Sequence, residues 1–305
     1  MAHLTQEPTR DEAHSSGLPR GGRSHERNVA SLLFLGGLWF SLFFGIVVLV
    51  VLIATTAIDG SARFDSELVT NYDSTLFPDA AGVRAALVGT LWLMVTTAVM
   101  AVPIGIAAAV YLEEFADNRR WYNRLIEVNL QNLAAVPSVI YGMLAVAVAA
   151  LFGSDTTNIV LVGAVALGLL ILPVIIISTR EAVRAVPREI REGSLALGAT
   201  PIQTTWRQVV PSAIPGISTG TILALSRAIG EAAPLLLLGV GTILFTPNGI
   251  MSGFTAMPVQ IYKWTAQSQE EYKVAAAAAI IVLMAMVLAL NGLAIYIRNH
   301  FQRRW

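Results

Sequence analysis

The chain has 305 residues, 55% of them hydrophobic and 13% charged, with a formal net charge of +0 and a mean hydropathy of +0.65. That balance is too apolar for a soluble domain of average composition, and it leaves no whole-chain charge with which to hold nucleic acid. There is no cysteine, so disulfides, thiolate metal sites and cysteine nucleophiles are excluded, and His3, His14, His25 and His300 all sit in terminal segments.

Residues 1–30 are rich in Ser, Gly, Pro, Arg and acidic side chains and present no periodic apolar face, the composition of a disordered tail. The apolar run that follows is too long, and starts too far in, for a cleaved signal sequence. A first transmembrane helix is expected over 31–56. The net acidic stretch 58–82 reads as an external loop. A second helix is predicted over 83–111, bent at Pro103, and an internal loop over 112–127, where Arg119, Arg120 and Arg124 accompany the interfacial pair Trp121 and Tyr122.

Helix three is predicted over 129–152, through Pro137, and helix four over 159–178, through Pro173. The short turn between them makes them antiparallel neighbours. Helix five is predicted over 216–239. An external segment, 241–273, with a helical stretch over 259–272, then leads to helix six over 274–297 and a short tail, 298–305. The expected fold is an all-α membrane protein of six transmembrane helices with both ends inside. The arginines of the tails and internal loops stand against only Arg63, Arg84, Lys263 and Lys273 outside. No internal repeat is visible, which argues against a transporter built from duplicated halves.

Between helices four and five lies a polar loop, 179–215, carrying Arg180, Arg184, Arg188, Arg191 and Arg207. Its residues predict two short helices. The first runs over 188–197, entered at Pro187 and ended by Gly198 in the left-handed conformation. Thr200 as cap, with Pro201 just inside, opens the second over 202–209, which Pro211 and Pro215 close. Physically this is a module at the membrane surface, either docked on another protein or lying on headgroups.

Helix five carries Arg227 and Glu231, the ionised pair deep in an apolar span. Charges there are costly and usually mark a pathway for a solute. Four residues apart, the two share a helix face, but arginine before glutamate is the poorer order for the helix dipole, so helix stabilisation explains them weakly. Pro234 frees the Gly230 carbonyl and loosens the backbone beside them. The planar fork of an arginine suits an oxyanion, while a buried structural ion pair is the plainer alternative. One position round, Gly216, Gly220, Ala224, Ala228 and Ala232 form a small-residue stripe suited to close helix packing, in this chain or with another.

Chemistry of other kinds finds no support. The sequence lacks GxxxxGK[ST] and HExxH, and Ser218 and Ser226 have no base nearby in sequence.

Two resemblances sharpen this reading. The spacing Glu192-Gly193-Ser194, Gly198, Gln208 and Val210-Pro211 resembles the EAA loop of ABC importer permeases, with glycine and serine replacing two alanines. PIGIAAAVYLEEFA from Pro103, PSVIYG from Pro137 and SRAIGEAAPLLLLG from Ser226 resemble the permeases of phosphate-specific transport (Pst) systems, and their order resembles the PstA type. The resemblance implies a type I (MetI-like) ABC importer permease domain over 83–297 in a bacterial cell membrane, importing inorganic phosphate. It further implies coupling to an ATPase through Glu192, Gly193, Ser194, Leu197, Gly198, Ala199, Thr200 and Pro201, and phosphate passage past Arg227 and Glu231. Implied partners are a PstC-type permease, a PstB-type ATPase dimer that binds the ATP and Mg, and a PstS-type phosphate-binding protein touching the external segments. No cofactor is expected on this chain. Molybdate or sulfate import, or gradient-driven anion transport, are the alternatives.

Overall fold

The computed structural model describes residues 29–117, 120–153, 156–241 and 243–301; the predicted tail up to residue 28, Arg119 and residues 302–305 lie outside the described residues. Among the described residues every regular element is a helix, apart from an isolated bridge pairing Ile159 with Gly253. The chain divides into two units between Val51 and Leu52. The first holds the opening of α1 (Val29–Asp59), whose first charged residue is Asp59. Its 31 residues exceed the ~20 that hydrocarbon requires.

In the second unit, α3 (Arg84–Val110), α6 (Val160–Arg184) and α9 (Val210–Ile229) pack together around α6, whose Leu167, Ile171 and Ile175 are fully buried. In lipid such burial brings no hydrophobic gain, so close approach of small side chains has to hold the helices. The stripe on α9 supplies it. A Cβ at Gly216 would stand 2.6 Å from the Ala182 Cβ, and one at Gly220 would run into the Ser178 side chain, while Ala224 and Ala228 continue the line into the core. The stripe's partner is therefore α6 of the same chain. Gly220→Val should force the two helices apart and cost about 1–3 kcal/mol. A lower Tm of the purified protein would register it, and an unchanged Tm would show the contact to be loose.

Among the described residues, five helices are long and apolar enough to cross a membrane, and a sixth crossing exists if α4 (Trp121–Leu133) and α5 (Ser138–Leu151) count as one, although they meet at 115°. This corrects the predicted single helix over 129–152. Pro137 has no N–H to donate and disfavours helical backbone in the residue before it, so the chain turns at 134–137 and restarts with Pro137 as cap. The Tyr141 hydroxyl spans the bend, donating to Leu133 O at 2.6 Å. The 14 residues of α5 reach only about 21 Å, less than the ~30 Å of hydrocarbon.

Prolines also misled the prediction in the other direction. α8 (Pro201–Thr204) does not stop before Pro211; it passes through a π-turn, Thr205–Val209, into α9, giving one helix over Pro201–Ile229. The Val210 N–H bonds back to Thr205 O, and the widened turn makes room for the Pro211 ring. A second π-turn, Tyr111–Phe115, extends α3.

The two predicted external segments fold on one another. α2 (Ser66–Thr70) belongs to the first of them, and its Leu68 shares a buried cluster with Ala86 of α3 and with Met257 and Trp264 of the second. Arg63 is buried, donating to Ala81 O at 2.6 Å and to Asp79 O. Across the segments, Trp264 of α11 (Met257–Thr265) donates its indole N–H to Asp73 Oδ1 at 2.9 Å, and Tyr272 of α12 (Glu270–Phe301) donates to Ser74 O at 2.8 Å. Residues 250 and 252 also cap α6, their carbonyls accepting from Leu161 and Val160.

Candidate functional site

α9 ends at Ile229, with Gly230 as its cap. Its last bonds tighten to three-residue spacing, Gly230 N–H to Arg227 O and Glu231 N–H to Ala228 O, both 3.2 Å. The chain restarts as α10 (Ala233–Leu237), with Pro234 in its first turn. Helix five is thus broken rather than continuous to residue 239, because Pro234 can neither donate to Gly230 nor leave room for an unbroken ladder. Glu231 falls in the break itself.

The pair survives the break. Arg227 Nε stands 3.7 Å from Glu231 Oε1, an ion pair beyond hydrogen-bonding distance, with side chains 50% and 22% exposed. Elements other than α9 complete the surroundings. Tyr141 of α5 lies within electrostatic reach of Arg227, and Gly142 lets α5 touch α10, since a Cβ there would stand 2.5 Å from Pro234 O. Ser226 Oγ lies 2.6 Å from both Ile222 O and Asn291 Oδ1 of α12, and its single hydrogen serves one of them at a time. The arrangement offers a fork of donors, a nearby carboxylate to occupy it, and a backbone whose helical ladder is interrupted.

At the other end of α9 the polar loop folds as predicted in its first half. α7 (Arg188–Ala196) ends where Gly198 takes φ +84°. Thr200 then caps the next helix, its Oγ1 accepting from Gln203 N–H at 3.3 Å while Gln203 Oε1 accepts from Thr200 N–H at 3.0 Å. Pro201 occupies the first turn. Ser194 Oγ meets Thr204 Oγ1 at 2.9 Å and ties the two helices. Gly193, Ser194, Leu197 and Ala199 line one side of a groove of about 490 Å³ with Gln203 and Arg207. Leu197 is 91% exposed, and Ile202 and Trp206 are also exposed, an apolar edge on a polar module.

Glu192 lies in a second cleft, of about 410 Å³, with Arg184, Arg188, Arg191, Glu113 and Glu114. The two glutamates were missed by sequence reasoning, which placed them in the internal loop 112–127 and gave them no role. Glu113 accepts from Arg184 Nε at 2.9 Å and Nη2 at 3.0 Å, a forked pair, and from Arg180 Nε at 3.1 Å. Arg180 reaches Glu127 of α4 at 3.2 Å. Glu114 accepts from Arg191 Nη2 at 2.8 Å, and Arg191 donates onward to Val183 O and Val186 O. Adjacent acidic residues, Glu113-Glu114, directly after an apolar run were the available signal.

Comparison with known proteins follows the same lines. Residues 101–305 match the family model described as "Binding-protein-dependent transport system inner membrane component". The chain is 34% identical over 167 residues to a probable ABC transporter permease protein, YqgH, of Bacillus subtilis, matching 53% of each. It therefore spans about half of that relative. It is also 34% identical over 226 residues to a phosphate transport system permease protein PstA of Mycobacterium tuberculosis, with 74% of this chain and 73% of that protein covered. Among solved structures, a bacterial alginate ABC transporter in complex with an alginate pentasaccharide-bound periplasmic protein superposes with a TM-score of 0.63 at 18% identity, over 88% of this chain and 96% of that one.

Proposed function

The chain belongs to the binding-protein-dependent transport system inner membrane components, and from that premise we propose that it is the permease subunit of an ATP-driven importer of inorganic phosphate. Membership makes it a multi-pass membrane transport component rather than an enzyme. The observation that carries the substrate is the half-open Arg227 guanidinium, paired loosely with Glu231 at a helix break inside an apolar span. Phosphate passing this point displaces Glu231 from the fork and gains charge-assisted, bidentate hydrogen bonds. The carboxylate returns as the anion leaves, which keeps the site from holding its cargo.

Coupling belongs to the loop 179–215. Its exposed apolar edge, Leu197, Ile202 and Trp206, suits a protein partner better than water, and the partner is an ATPase of the PstB type that holds ATP and Mg. Both termini and this loop face the cytoplasm. The outer segments, packed together through Trp264 and Asp73, form the surface offered to a PstS-type binding protein. A PstC-type permease completes the pathway.

The test is uptake of labelled phosphate by the assembled complex in liposomes. Arsenate should compete, molybdate and sulfate should not, and uptake should stop when the ATPase is inactivated. Competition by molybdate or sulfate instead points to another oxyanion, and uptake surviving loss of the ATPase to a gradient-driven carrier.

A further inference from the structure

The coupling module is joined covalently to two membrane helices only. It leaves α6 through residues 185–187 and enters α9 through the π-turn. α3 has no chain connection to it, yet α3 packs on α6 along its length and must move with the others if the pathway is to open. The structure supplies a connection of another kind. At the predicted cytoplasmic end of α3, the π-turn Tyr111–Phe115 presents Glu113 and Glu114, 15% and 13% exposed, to the arginines of the module. Glu113 holds the last turns of α6 through Arg180 and Arg184, and Glu114 holds α7 through Arg191.

Resting on the importer reading above, we infer that Glu113 and Glu114 are positioning residues that transmit displacement of the coupling module to α3. The division of labour is physical. Arg191 bonds at once to Glu114 and to the carbonyls of Val183 and Val186, so α7, the end of α6 and the end of α3 are fixed at one side chain. Charge-assisted and largely shielded from water, these bonds resist shear better than an exposed ion pair. A π-turn, with its looser ladder, is the one part of α3 beside these contacts that can change pitch without unwinding the span. Without the acidic pair, nucleotide-driven motion would reach α3 only through its packing against α6.

The experiment uses the complete complex in liposomes with the phosphate-loaded binding protein, recording phosphate uptake and ATP hydrolysis in the same sample. Removing the carboxylate charge from the Arg191 pair in Glu114→Gln should leave hydrolysis within about twofold and lower phosphate moved per ATP by about tenfold. Glu114→Asp, which keeps the charge on a shorter stem, should return that ratio to within about threefold of the original. Glu113→Gln should behave as Glu114→Gln does. An unchanged ratio in the Gln variants overturns the inference, and so does an Asp variant as impaired as Gln, or uptake and hydrolysis falling together with assembly. A starting complex that moves phosphate without ATP refutes the importer reading itself, before any variant is compared.

Discussion

Arg227→Gln should lower phosphate uptake by about a hundredfold or more, the loss expected when two charge-assisted hydrogen bonds to an anion disappear inside a membrane. Assembly should be untouched. Arg227 is half-exposed and its ion-pair partner, Glu231, stands beyond hydrogen-bonding distance, so little of the packing depends on it. Arg227→Lys makes the comparison sharper. It keeps the charge but loses the planar fork, and should fall between the two, since a lysine meets an oxyanion as a point charge. Labelled phosphate uptake, with recovery of the other subunits on purification as the control for assembly, reads all three proteins. Normal uptake in Arg227→Gln would mean that the guanidinium is a structural group after all.

Gly142→Ala should lower the Tm of the purified complex by about 5 °C and reduce uptake as well. The added Cβ would stand 2.5 Å from Pro234 O and 2.8 Å from Pro234 Cα. Both are backbone atoms that no rotamer change can move aside, so α5 must separate from α10. The cost of such overpacking is about 1–3 kcal/mol. Because α10 starts two residues after Glu231, the shift also carries that carboxylate away from Arg227. A variant with unaltered Tm and uptake would show that α5 and α10 stand further apart in the working complex.

Which parts of this were legible in the sequence follows from what each residue type fixes locally. Gly198 and Thr200 act within a few residues of themselves, through a positive φ and a capping box, and the structure places both as expected. Apolar length made the spans legible in the same way. Proline was harder to read, because its effect depends on what the neighbouring turns can absorb. Pro137 breaks a helix by a sharp bend and Pro234 ends one, whereas Pro103, Pro173 and Pro215 lie inside helices, and Pro211 follows a π-turn within a continuous one. The contacts of Glu113 and Glu114 were out of reach, since they join residues far apart in sequence through a turn type that composition does not announce. The small-residue stripe was visible as a pattern, but only the fold identifies Ser178 and Ala182 as what it packs against.

The unbroken run over Pro201–Ile229 makes the surface module and the Arg227 turn two ends of one rod. At ~1.5 Å per residue that rod is about 43 Å long, and rocking it by about 10° swings its far end through about 7 Å. The break after Ile229 then sets where the swing stops being shared: the arginine travels with the lever, and the glutamate beyond the hinge does not. A small tilt of the module would thereby be geared, through the π-turn Thr205–Val209, to the spacing of two opposite charges.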